Sequence, residues 1–322
     1  MNKRDFLAAG ALLGLSSVGS RAHAQEPVFP VRPITMLVGF APGGATDMAF
    51  RVLAANAAAI TGRPVVVENK PGAGMIIPAQ MMQGTTPDGY TVAQVAVSVF
   101  RQHYLSKSNW DPVQGLSFVI GLASYPFGLV VPASSPIRSV QDYIQYAREH
   151  PGELTYGTPG NLSSPHLTME DLAWRAKVKF NHVPYKGGAE ALQALLGGHI
   201  MSDADGPLWA SQVVAGQLRL LATGGPERSV RFPQVPTLRE AGYNIVQDAP
   251  FGLAAPKATP PHVVRRLHDI FRQAMEMDNY KAALRQYDLD PLYLSSEQFT
   301  QFAVDITRRE AELIDRIGLA KP

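Results

Sequence analysis

The stretch Val38-Gly39-Phe40-Ala41-Pro42-Gly43-Gly44-Ala45-Thr46-Asp47 constrains the fold most. Ahead of it, Ile34-Thr35-Met36-Leu37-Val38 is apolar and partly β-branched, the pattern of a buried strand. Behind it, the alanine-rich residues 48–60 contain neither proline nor glycine and are predicted to form a helix. Pro42 and the paired glycines supply the turn between them, and Thr46 or Asp47 is expected to cap the helix. A strand, a glycine turn and an exposed helix N-terminus together suit an anion, because the free N–H groups and the helix dipole both favour negative charge. The turn has no Gly-Lys-Ser/Thr sequence and no third spaced glycine, which argues against a nucleotide.

The same punctuation recurs. Residues 64–69 read as a second strand, followed by Lys70-Pro71-Gly72-Ala73-Gly74 and a helix over 75–83. A third strand covers 91–97. Further on, a helix over 139–150 precedes a short strand at 154–157 and the turn 158–165. A helix from His166 to Ala176 follows, then an extended 180–185 and a turn Lys186-Gly187-Gly188 into a helix ending at Leu196. Residues 218–222 and 251–255 read as strands, and 261–319 as mostly helical. Alternating strands and helices imply mostly parallel sheets, whose ligands lie beyond the strands' C-terminal ends. Four glycine turns opening helices, two in each half, suggest a cleft lined by helix N-termini.

With 322 residues, 46% of them apolar, the chain can bury the cores of two domains. The N-terminus reads as a secretory leader: Lys3 and Arg4, an apolar run over 6–18, and a small-residue cleavage site at Ala22-His23-Ala24. The run is too short to span a bilayer, and Lys3-Arg4-Asp5-Phe6-Leu7 leaves Sec and twin-arginine export both open. Removing residues 1–24 takes away three basic residues and one acid, leaving 26 of each charge. A neutral mature chain has no bulk affinity for nucleic acid or for membrane surfaces. There is no cysteine, hence no disulfide, lipid-anchored cysteine or thiolate metal site. His182, His199 and His262 lack metal-ligand spacing, so no cofactor is expected.

Ser164 and His166 hint at a hydrolase, but the mature chain has no Gly-x-Ser-x-Gly elbow. Asp47 is read as a cap more readily than as a ligand group, Lys186 equally as a ligand group or a solvated turn residue, and Trp174 and Trp209 as core.

Several stretches resemble the Bug-type extracytoplasmic receptors of tripartite tricarboxylate transporters. They are Arg32-Pro33-Ile34, the 38–47 stretch, Gly62-Arg63-Pro64 through Gly74, and Pro87-Asp88-Gly89-Tyr90-Thr91. Later come Tyr156-Gly157-Thr158, His182-Val183-Pro184-Tyr185-Lys186-Gly187, Leu195-Leu196-Gly197-Gly198 and Val235-Pro236-Thr237-Leu238-Arg239-Glu240-Ala241-Gly242. The resemblance implies a non-enzymatic periplasmic binding protein: a monomeric two-domain clamshell of the type II kind, with crossover strands at its hinge. Its domains would be 25–125 with 249–322, and 126–248. It would bind a small organic anion and pass it to the membrane permease subunits of a tripartite transporter; a periplasmic hydrolase or a ligand sensor on the same scaffold is the alternative.

Mapped residue by residue, a carboxylate would meet Ala41, Gly43, Gly44, Ala45 and Thr46 on one loop. On the other it would meet Thr158, Asn161, Ser163 and Ser164. Ser98, Tyr185, Lys186 and Asp205 would shape what lies beyond. The chain departs from the family at Pro159 and Asn161, at Phe251 where tryptophan is common, and at Val99-Phe100-Arg101-Gln102-His103. Phe100 and Arg101 are read either as favouring a longer or aromatic ligand or as surface residues. Asp203 and Asp205 are read as repelling a second carboxylate or receiving a cationic group.

Overall fold

The computed structural model describes residues 29–105, 110–247 and 249–319; the predicted leader lies outside them. Strands β1 (Ile34–Val38), β2 (Val65–Asn69), β3 (Thr91–Val95) and β4 (Leu116–Ser124) begin a first sheet. Strands β5 (Gly128–Pro132), β6 (Thr155–Thr158), β7 (Asn181–Pro184), β8 (Ser202–Asp205) and β9 (Leu218–Thr223) make a second sheet. The chain then returns to the first through β10 (Pro250–Pro256) and β11 (Asp290–Leu294). The strand orders are β11-β4-β10-β3-β1-β2 and β7-β6-β8-β5-β9.

Both sheets are mixed, which corrects the mostly parallel arrangement read from the sequence. Parallel pairing joins β1 to β2 and β3, and β6 to β7 and β8. The returning β10 inserts antiparallel between β3 and β4, and β5 runs antiparallel to β8 and β9. Alternation of helix and strand cannot reveal an insertion from a distant part of the chain. At that insertion Gly252 is required, because a Cβ there would lie 2.0 Å from the Ile120 carbonyl oxygen. The tail read as helical also contains β11.

Side chains alternate across each strand, and both faces of each sheet are apolar. In the first lobe Ile34, Met36 and Val38 pack with Phe50, Phe251 and Phe271 on one face, under helices Ala45–Thr61 and Pro261–Glu276. Leu37, Val95, Phe118 and Phe299 fill the other, beneath helices Val97–Leu105 and Ser296–Arg316. In the second lobe Leu129, Tyr143, Tyr156 and Leu172 form one layer and Val130, Leu195, Trp209 and Leu220 the other. Trp209 is core as expected, whereas Trp174 is 54% exposed with the Arg316 guanidinium over its ring. The two chain crossings between lobes lie side by side, Tyr125 N–H donating to the Ala249 carbonyl at 3.1 Å.

Candidate functional site

Parallel β1 and β3 end at the same sheet edge, so the loop after Val38 and the residues after Val95 are neighbours. Residues 41–44 are exposed. Gly43 turns the chain at φ +86°, a left-handed conformation that favours glycine. Gly44, without a side chain, occupies the helix N-cap, which corrects the expectation of Thr46 or Asp47 there. The first intrahelical bond runs from Met48 N–H to the Gly44 carbonyl, so the amides of Ala45, Thr46 and Asp47 precede it.

Asp47 instead braces the loop from below. Its buried carboxylate accepts from Gly43 N–H at 2.8 Å, Arg51 Nε at 2.9 Å and Asn69 Nδ2 at 2.7 Å. Asn69 Nδ2 also donates to the Phe40 carbonyl at 2.9 Å. Burial pushes the Asp47 carboxyl up, but the donors from Arg51, Asn69 and Gly43 outweigh it and hold the group below its ordinary value. Thr46 Oγ1 lies 2.6 Å from the Tyr125 hydroxyl, and the Tyr125 ring packs on Phe251 and Phe40.

Ser98 lies in the first turn of helix Val97–Leu105, beside this loop. It is 5% exposed and its hydroxyl has no hydrogen-bond partner among the described residues. Phe100 and Arg101 are buried rather than surface residues. Phe100 packs on Phe118 and Phe302, and Arg101 is buried against Glu310.

In the second lobe, parallel β6, β7 and β8 bring Thr158, Tyr185 with Lys186, and Asp205 to one edge. Thr158 Oγ1 donates to the Gly160 carbonyl at 3.1 Å and lies 2.7 Å from His182 Nε2. Ser163 caps helix Ser164–Ala176, accepting from His166 N–H. Asn161 and Lys186 are exposed. Tyr185 N–H donates to the Thr158 carbonyl, fastening the two loops together.

Asp205 lies against Gly188, at the start of helix Gly188–Leu196, and accepts from Gly206 N–H at 2.6 Å. Burial pushes its carboxyl up to about 7, against the Gly206 donor. Asp203, deeper on the same strand face, is raised by burial and then by Asp205, and its Oδ1 has no partner among the described residues.

His166 and His182 stack at 3.9 Å between ring centroids. His166 Nδ1 accepts from Leu162 N–H at 3.0 Å, and Ser164 Oγ accepts from Arg101. Neither arrangement pairs a serine nucleophile with a base. Burial, then the positive charge of Arg101, lowers His166 to about 4. Burial and His166 lower His182 to about 4 against the opposing pull of Glu170. Both rings are neutral at neutral pH.

The sequence-predicted residues therefore fall at the C-terminal edges of the parallel strands in both lobes. Missing from the sequence reading were the Asp47–Arg51–Asn69 brace, Tyr125, the histidine stack and the Arg101–Glu310 pair. Only the i,i+4 spacing of Asp47 and Arg51 carries a local signal.

Residues 49–319 match the family described as tripartite tricarboxylate transporter family receptor. The chain belongs to that family. A Cupriavidus necator relative, "UPF0065 protein in gbd 5′ region", is 54% identical over 100% of this chain and 99% of its own length. An R. palustris protein solved with adipate superposes with a TM-score of 0.82 at 30% identity, covering 91% of this chain and 99% of that one. MatC from Rhodopseudomonas palustris with bound malate gives 0.80 at 27% identity, covering 89% and 100%. The fold is that of periplasmic binding proteins. The family consists of solute-binding receptors, not enzymes. No described helix is long and apolar enough to cross a membrane, and no described group of three or more His, Cys, Asp or Glu residues is placed to hold a metal ion.

Proposed function

We propose that the mature chain, starting near Gln25, is a periplasmic receptor for a small organic carboxylate, which it delivers to the membrane permease of a tripartite transporter. The lobes that close on the ligand are residues 25–125 with 249–322, and 126–248. The carboxylate sits between Ala41, Gly43, Gly44, Ala45 and Thr46 of one lobe and Thr158, Asn161, Ser163 and Ser164 of the other. Ser98, Tyr185, Lys186 and Asp205 contact the rest of the molecule.

One observation carries this reading: a glycine turn braced from below by a buried aspartate leaves the Ala45 and Thr46 amides at an exposed helix start. Backbone donors at a helix N-terminus stabilise an anion without a mobile cationic side chain. The ligand-bound relatives, with adipate and malate, support a carboxylate as the ligand class.

The test is a thermal-shift screen of short dicarboxylates including malate and adipate, tricarboxylates, aromatic carboxylates and amino acids. A compound that binds the folded state alone raises the midpoint by mass action and is recovered unconsumed. Gly44→Val and Ser164→Ala then locate the site. Position 44 has φ −74°, and a Cβ there would meet only the Ala41 carbonyl, at 3.7 Å. The valine is accommodated by the fold and obstructs the helix amides. Weaker binding in Gly44→Val with unchanged stability supports the assignment; parental affinity in both variants refutes it.

A further inference from the structure

Arg101 sits in the first lobe, one turn beyond Ser98, and is 2% exposed. A buried guanidinium needs its donors met, and these are met from two directions. Nε donates at 2.5 Å to Glu310, a buried acid of the same lobe on helix Ser296–Arg316. The other two donors leave the lobe: Nη1 reaches the Leu162 carbonyl at 2.8 Å and Nη2 reaches Ser164 Oγ at 2.8 Å.

Leu162 is the middle of the second loop and holds φ +59°. That left-handed conformation is unfavourable for a leucine and must be held by its surroundings. Its N–H is held by His166 from within the second lobe, and its carbonyl by Arg101 from the first. The loop's least favourable residue is thus clamped from both lobes at once.

The seam beyond Ser164 is polar and incompletely filled. Arg316 of the first lobe reaches Asp171 of the second at 3.1 and 3.3 Å. Beside that pair lies a cavity of about 250 Å³, lined by Arg101, Asp171, Glu310 and Arg316 and by apolar residues that include Leu167 and Ile306. Lobes joined by a few polar bonds around a void separate more readily than lobes joined by an interdigitated apolar core.

We propose that Arg101 is a positioning residue that makes the shape of the 158–164 loop conditional on lobe closure. This rests on the reading that the loop receives the carboxylate. When the lobes part, Leu162 and Ser164 lose the guanidinium and the left-handed peptide is released. Arg101 keeps Glu310, so opening strands no buried charge. When they close, the loop regains its third anchor together with the ligand. The histidine stack registers the event. His166 faces Arg101, His182 at 3.9 Å and Glu170 at 3.8 Å, while Tyr156 donates to Glu170. Withdrawing the arginine's charge raises the pH at which His166 protonates.

The chain has no cysteine, so Val66→Cys and Gln193→Cys, exposed positions on opposite lobes, can carry spin labels for distance measurement in ligand-free protein. Replacing Arg101→Met together with Glu310→Met removes the ion pair without leaving a lone buried charge. Ser164→Ala cuts one of the inter-lobe bonds from the other side and keeps the test open if the double variant does not fold. The expected result is a longer and broader inter-lobe distance in both, with His166 titrating above the parental value of about 4 by proton NMR in Ser164→Ala, which keeps the arginine and lets it withdraw. For a carboxylate found in the screen, dissociation from the double variant, which alters no residue assigned to the ligand, accelerates by roughly 10- to 100-fold, the size of a hydrogen bond to a charged group. Folded variants with the parental distances overturn the proposal. The distances need no ligand, so failure of the carboxylate reading leaves this test independent.

Discussion

The Asp47 brace sets the shape of the 41–46 loop, and its removal should be measurable in stability before any ligand is known. The carboxylate is fully buried and takes three donors, from Gly43, Arg51 and Asn69. A hydrogen bond to a charged group contributes about 1.5–3 kcal/mol net. Simple addition overstates the loss in Asp47→Ala. The Arg51 side chain is 43% exposed and regains water, Gly43 lies in an exposed turn, and Asn69 keeps the Phe40 carbonyl. A loss of roughly 2–4 kcal/mol remains. At about 2–4 °C per kcal/mol for a unit of 150–250 residues, the midpoint falls by roughly 4–16 °C.

Asp47→Asn preserves the shape but turns one acceptor into a donor facing donors, so it recovers less than half of that loss. The sign with pH follows from the carboxyl being held below 3.8, its ordinary value. The stabilisation is present above 3.8 and is lost as pH falls through the lower folded value. The gap between parent and Asp47→Asn therefore persists to about pH 4 and closes only in stronger acid. Urea denaturation across pH 3–8, with an Asn69→Ala cycle, measures both. A loss under about 1 kcal/mol for Asp47→Ala, or parental stability in Asp47→Asn at pH 7, refutes the argument.

Two other substitutions test the buried framework. Asp205→Asn removes an acid raised to about 7 when folded, against an ordinary 3.8. The folded parent binds more protons between those values, and its stability declines as pH rises from 3.8 to 7. Asp203, raised in part by Asp205, adds to the same trend. The variant should gain stability relative to the parent at pH 8 more than at pH 5, and equal differences in urea midpoints at the two values contradict it. Gly252→Ala drives a methyl into the Ile120 carbonyl at 2.0 Å and the Phe299 ring at 2.7 Å. Backbone on one side and a packed ring on the other give a loss of about 3 kcal/mol or more, and a midpoint lowered by less than about 3 °C would contradict it.

What was legible in the sequence was local. The Gly43-Gly44 turn and the turn at Lys186-Gly187 are decided by backbone angles and by side chains a few residues apart. They placed both loops at sheet edges, and the helix N-termini followed. What was not legible depended on partners far along the chain. β10 pairs with β3 and β4 only after the whole second lobe has been built, so no window of sequence shows that the sheets are mixed.

Arg101 shows the same limit in its chemical form. An arginine near a cleft is ordinarily exposed, since burying its charge is costly unless every donor is met. Whether it is buried here turns on Glu310, 209 residues later, and on a carbonyl and a hydroxyl in the other lobe. Local reading supplies the backbone turns and helix starts at the sheet edges; partners far along the chain decide which side chains are buried against them.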